Sequence, residues 1–206
     1  ELRIWDLQRG LAGQPENVDL TLGEETLSHA CDEHGTTCVV STTGHDLIVW
    51  DLTQENALSW RRRPLDLPEA YDLRLSPSGR WLIVQSGNAR NVELVDTTNL
   101  DSQPQQLLAT DGHSIGKVEF DPTESFFLMQ DPLGSVVGLW KVNARGVVPV
   151  KLSPPAGALD FGSVAFNSDG TLMAIVWDLE ESHDLLEVRS NDGEGVPWQR
   201  ILHQEP

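Results

Sequence analysis

The chain has 206 residues, with 32 Asp and Glu against 14 Lys and Arg, and so a formal net charge of −18. That balance argues against a contiguous basic surface, on which DNA and RNA binding rest, so no nucleic acid is expected among its partners. A hydrophobic content of 39% with seven Trp argues against disorder. The longest stretch free of Asp, Glu, Lys and Arg, His34 to His45, is far short of the roughly 20 apolar residues that span a membrane, so no membrane insertion is expected.

In chain order, short apolar strands recur: LRIWDL at Leu2 to Leu7, LIVWDL at Leu47 to Leu52, VELVDT at Val92 to Thr97 and VGLWKV at Val137 to Val142. A degenerate fifth, LLEVRS, covers Leu185 to Ser190. The equivalent position reads Trp5, Trp50, Val95, Trp140 and Val188, with spacings of 45, 45, 45 and 48 residues. Turns keep the same beat: DEHG at Asp32, SPSG at Ser76, DPTE at Asp121 and NSDG at Asn167. Such residues tolerate or supply the backbone angles that tight turns require.

Before each turn, slots two apart hold His29 and Cys31, Leu73 and Leu75, Val118 and Phe120, Val164 and Phe166. A period of two marks half-buried strands. After each turn come the apolar runs CVV, LIV, FLM and MAI, which fit strands covered on both sides. More polar strands follow near Val18 to Leu22, Trp60 to Leu67, Gln105 to Thr110, Val147 to Leu152 and Trp198 to His203. No amphipathic helix interrupts them. Four strands in each period of about 45 residues select an all-β propeller over a sandwich or a barrel.

Trp5-Asp6, Trp50-Asp51, the SPSG and NSDG turns and the segment GHSIGKVEF at Gly112 to Phe120 together resemble the WD-repeat β-propeller family. The resemblance covers essentially the whole chain. It implies about four and a half four-stranded blades, part of a larger ring of seven or eight. The expected units are 8–52, 53–97, 98–142 and 143–190, followed by an outer strand at 197–204. There are departures from the family pattern. The Gly-His pair occurs in one unit alone, at Gly112-His113, Lys141 follows Trp140, and Val95 and Val188 replace the Trp. An incomplete stack leaves edges and apolar sides uncovered. The missing blades are therefore expected on a complementary chain or on another part of a parent protein; the alternative is a compact four-bladed ring.

Candidate sites need weighing against plainer readings. Gly112 to Gly116 matches the serine hydrolase elbow G-x-S-x-G, but that chemistry needs a strand-to-helix turn, and KVEF alternates as a strand. Cys31, His34 and Cys38 are short of a zinc ligand set, so no metal is expected. Two Cys can form one bridge or stay thiols. Their repeat slots, shared with Leu75, Phe120, Phe166, Leu82, Phe127 and Met173, favour buried thiols. Those thiols, with no charged-then-apolar leader, lean towards a cytoplasmic setting. His29 reads as a core histidine or a channel-facing pH-sensitive group. Arg61, Arg62 and Arg63 read as a charged rim or, against the overall charge, as a contact for an acidic partner or phosphate. The acidic stretch Asp178, Glu180, Glu181 and Asp184 reads as a solvated loop or a partner contact rather than a metal site.

A propeller is a rigid wheel with variable loops, which suits recognition. Tyr71, Arg90 and His113 fall on the loop end and are the expected binding residues. The expectation is a non-enzymatic protein-interaction or sensor module of a larger signalling or effector protein, with no cofactor. The rival is an enzyme or ligand-binding propeller working through a central channel. It would draw on His29, Asp72, Arg74, Lys117 and Glu119.

Overall fold

The computed structural model describes residues 2–4, 16–18, 24–52, 59–65, 70–86, 91–107, 116–131, 136–143, 146–150, 155–179, 183–190 and 198–203. Strands β1 (Leu2–Ile4) and β2 (Glu16–Val18) pair antiparallel. Four antiparallel sheets of four strands follow, each a simple up-and-down run in chain order. The first is β3 (Thr26–Cys31), β4 (Thr37–Thr42), β5 (Asp46–Asp51) and β6 (Ser59–Pro64). The second is β7 (Ala70–Leu75), β8 (Trp81–Ser86), β9 (Val92–Asp96) and β10 (Gln105–Leu107). The third is β11 (Lys117–Phe120), β12 (Phe126–Gln130), β13 (Val136–Asn143) and β14 (Gly146–Pro149). The fourth is β15 (Ala158–Phe166), β16 (Leu172–Leu179), β17 (His183–Ser190) and β18 (Trp198–His203).

Each hairpin between the first two strands of a sheet closes in the same way. Asp32, Ser76, Asp121 and Asn167 each accept a hydrogen bond from the backbone N–H five residues on, at Thr37, Trp81, Phe126 and Leu172. The fourth turn residue is left-handed in all four: Gly35, Gly79, Glu124 and Gly170 have φ of 67°, 78°, 56° and 69°. Glycine takes that conformation at no steric cost; Glu124 takes it with a side chain. The Glu124 carboxylate accepts from the Ser78 backbone N–H and from its hydroxyl, 2.7 Å away, tying the third turn to the second.

The sheets stack through three apolar cores, one at each junction. Val39, Leu47 and Val49 of the first sheet meet Leu73, Leu82, Val84 and Val95 of the second. Ile83, Val92 and Leu94 meet Phe127, Met129 and Trp140 of the third. Leu128 and Leu139 meet Val164, Met173, Ile175 and Trp177 of the fourth. Among the described residues no fourth core joins the last sheet to the first, so the sheets are blades of a propeller that they do not close. Across these three junctions a blade packs its leading side on its predecessor and receives its successor on its trailing side. The continuous apolar runs after the turns are explained: β4, β8 and β12 are second strands, covered on both sides.

Registers correct two readings. Cys38, Leu82 and Phe127 stand opposite Trp50, Val95 and Trp140. The same row in the fourth sheet pairs Met173 with Arg189, so Arg189 and not Val188 holds the Trp slot. Val188 pairs with Ala174 on the trailing side. The two cysteines are not thiols: Cys31 and Cys38 are opposite one another across β3 and β4 and form a disulfide. Cys31 is exposed rather than a core residue, because the strand before the turn is covered less than the one after it. The lean towards a reducing compartment loses that support.

Candidate interaction surface

One end of the blades carries the tight turns at Asp32, Ser76, Asp121 and Asn167. The other end carries the hairpins between second and third strands and the blade-to-blade connections, and it is the end to which the repeat pattern assigns Tyr71, Arg90 and His113. Tyr71 lies in β7, at a break in register between Ala70 and Asp72. The equivalent break in the first blade falls at Leu27, between Thr26 and Ser28. A bulge of this kind bends a strand and locally ends its pairing, and it recurs near functional ends of sheets. Arg90 and His113 lie outside the described residues, as do Glu180 and Glu181.

On the first blade this end is knit by a polar network. Thr42 donates its hydroxyl to Glu24 at 2.8 Å, and Arg62 bonds Glu24 at 3.1 Å and also Asp46. The hydrogen bond to Asp46 holds the Arg62 guanidinium above its ordinary pKa. The basic run lies on the outer strand of the first blade, with Arg61 and Arg62 exposed and already hydrogen-bonded. Arg63 donates to the backbone oxygens of Leu100 and Ser102 at 2.9 and 2.6 Å, and Arg61 to those of Thr97 and Thr98. Alternation along β6 sends Arg61 and Arg63 onto the next blade and Arg62 onto its own.

The innermost strands hold the groups that a channel chemistry would need. Arg74 pairs with Asp72 at 3.1 Å, and Lys117 pairs with Glu119. Burial raises the pKa of Asp72, and the charge of Arg74 works against that rise. Both pairs join neighbours on one strand, so each charge is answered locally. His29, on β3, is exposed rather than a core histidine. No group of three His, Cys, Asp or Glu among the described residues could hold a metal ion. Of the acidic stretch, Asp178 and Asp184 lie in strands rather than a loop, paired across β16 and β17. Gly116 precedes β11, a strand, so the helix that a nucleophile elbow needs does not follow.

Apolar groups stand at the surface instead. Trp60 and Val148 are exposed on the outer strands of the first and third blades. Leu172 and Trp198 are exposed on the fourth blade, at 43% and 53%. Sequence reasoning does not single out either, since each looks like an ordinary strand residue. No helix of the described residues is long and apolar enough to cross a membrane.

Repeated four-stranded meanders, equivalent turns and one core per junction define the class: a partial β-propeller, four blades and a half. No family model matches the chain, and no curated protein does. Among solved structures it is similar to Hsv2 of Kluyveromyces lactis, at 20% identity and a TM-score of 0.47, over 82% of this chain and 58% of that one. It is similar to the propeller domain of Cps50 (Swd1) of Myceliophteria thermophila, at 14% identity and a TM-score of 0.49, over 87% and 58%. A chain of the Mitotic Checkpoint Complex matches at 12% identity and a TM-score of 0.47, over 73% and 45%. These are WD40 β-propeller proteins. The chain spans about half the length of the solved chains that it matches.

Proposed function

We propose that this chain is a non-enzymatic protein-interaction or sensor module of a larger signalling or effector protein, working in the cytoplasm. Its partners are proteins, among them a complementary chain that carries the remaining blades, and nucleic acid is not among them. Its repeat units are 8–52, 53–97, 98–142 and 143–190, with an outer strand at 197–204. Tyr71, Arg90 and His113 supply partner contacts at the loop end.

The observation that carries this reading is where reactivity and apolar surface lie. The charged groups of the innermost strands answer one another within a strand, while Leu172 and Trp198 face solvent on the last blade. Large side chains of mixed character anchor interfaces well. Native mass spectrometry on the chain isolated from its source tests it. A second polypeptide is expected, and the Tyr71→Ala and Arg90→Ala variants are expected to retain less of it. A bare 22.8 kDa monomer under the same conditions would defeat the proposal.

A further inference from the structure

Of the four equivalent hairpins between first and second strands, one carries a covalent link. The register row at the turn pairs Cys31 with Cys38, Leu75 with Leu82, Phe120 with Phe127 and Phe166 with Met173. The last three hairpins close without a bridge, through packing and the capping hydrogen bonds of Ser76, Asp121 and Asn167. The first has the same closure independently of its sulfurs. The Asp32 carboxylate accepts from the N–H groups of Thr36 and Thr37 at 2.6 and 3.1 Å, and the Asp32 N–H donates to the Thr37 carbonyl at 3.0 Å. The disulfide is therefore not what folds this hairpin.

The two sulfurs have different surroundings. Cys38 is 8% exposed, whereas Cys31 faces solvent. That openness belongs to the slot, since Leu75, Phe120 and Phe166, each in a blade with a predecessor packed on it, are still only half-buried. Exposed disulfides are the ones that exchange with thiols, because the attacking sulfur must reach them in line. Both redox states also fit the fold. A reduced Cys38 would occupy a slot that Leu82, Phe127 and Met173 fill elsewhere, where a thiol packs as a small apolar group. A reduced Cys31 would meet water.

From these surroundings, and independently of the function proposed above, we infer that Cys31–Cys38 is a redox-responsive site that exchanges with thiol reductants, Cys31 being the sulfur attacked. A thiolate bonds to the Cys31 sulfur, the bond between the two protein sulfurs breaks, and Cys38 leaves as a thiolate that takes up a proton. A second thiol then attacks the reductant's sulfur in the mixed disulfide and releases Cys31. The chain gains two electrons and two protons, and the reductant departs as a disulfide. The turn closed by the bridge is also a contact to the second blade. The Glu33 N–H donates to the Pro77 carbonyl at 3.4 Å, and Gly79 lies against Thr37 and the Asp32 carboxylate. Opening the bridge loosens the strand ends that carry these contacts, so the redox state sets how firmly the first turn holds the second.

The test holds the chain in mixtures of reduced and oxidised glutathione of cytosolic poise, quenches with acid, and maps the free cysteines by alkylation and mass spectrometry. The bridge is expected to pass from mostly oxidised to mostly reduced across that range, with the circular dichroism spectrum unchanged. Glutathione is expected on Cys31 of the Cys38→Ala variant, while Cys38 of the Cys31→Ala variant reacts about tenfold more slowly, because access limits exchange. On reduction, hydrogen exchange should quicken at Asp32 to Thr37 and at Ser76 to Trp81, and stay the same in the fourth blade. A bridge that remains oxidised in the most reducing mixture is a structural link and overturns the assignment. So do loss of the fold on reduction, equal reactivity of the two sulfurs, and unchanged exchange at both turns. The titration and the exchange measurement use the unaltered chain, so they decide the matter even if a variant fails to fold.

Discussion

Trp177 donates its indole N–H to a carboxylate oxygen of Glu187 at 2.8 Å, with both side chains 1% exposed in the core between the third and fourth blades. Arg189 bonds the other oxygen of the same carboxylate. Arg189 holds the slot that Trp50 and Trp140 hold elsewhere, so this junction replaces a buried indole with an ion pair whose carboxylate is buried and whose guanidinium is partly exposed. The Glu187 carboxylate completes the replacement, since it answers both the guanidinium and the indole N–H.

Removing one member of that set is expected to cost far more than removing the pair. Glu187→Ala should destabilise by about 2 kcal/mol, because it leaves the buried indole N–H without its acceptor and the partly exposed guanidinium without its carboxylate. The double variant Glu187→Gln with Arg189→Met should lie within about 1 kcal/mol of wild type, since the amide oxygen still accepts the indole N–H and neither charge remains. Urea unfolding followed by circular dichroism measures both. Equal losses in the two variants would show that the ion pair, and not the acceptor for the indole N–H, carries the contribution.

Two glycines with the same backbone conformation should respond differently to one added methyl. Gly35 has φ +67° and nothing within 4 Å of the place a methyl would occupy, whereas at Gly79, φ +78°, that methyl would sit 2.7 Å from Thr37 Cβ on the preceding blade. Gly35→Ala should cost about 1 kcal/mol of left-handed strain. Gly79→Ala should cost about 3 kcal/mol, because overpacking adds to the same strain. Thermal unfolding of the two variants side by side decides it. Matching losses would mean that the turns of the first two blades do not touch.

The Cys31–Cys38 bridge closes a loop with a sequence separation of 7. Its reduction should lower stability by about 2 kcal/mol, the loop-closure term for so short a span. Before reduction the chain should take up no iodoacetamide; after reduction it should take up two equivalents. Two adducts without reductant would show that the thiols are free in the isolated chain, and would restore the reading that their repeat slots suggest.

Legibility in the sequence followed locality. The turn at Ser76 to Gly79 announced itself because the Ser side chain, the left-handed Gly and the strand start at Trp81 lie within six residues. The blade count was legible because the same local solution repeats. The slot of Arg189 was not: LLEVRS aligns on Val188 by composition, and only pairing with Met173 shows the slip of one residue. One residue of slip exchanges the two sides of a strand, so it moved Val188 from a core to a trailing surface. The roles of Arg61 and Arg63 were hidden for a related reason, since their acceptors are backbone oxygens at Thr97 to Ser102, which no side-chain pattern announces.

What the amino-acid order determined by itself was the unit: four strands, a tight turn after the first, and a period near 45 residues, all set by backbone sterics and the alternation of apolar side chains over short range. What the tertiary structure decided was which side of each unit is spent on a neighbour. Val39 and Ala174 occupy equivalent places in equivalent strands, and one is sealed while the other is not. Burial is a property of what lies across the junction, and no residue carries that information in its own sequence.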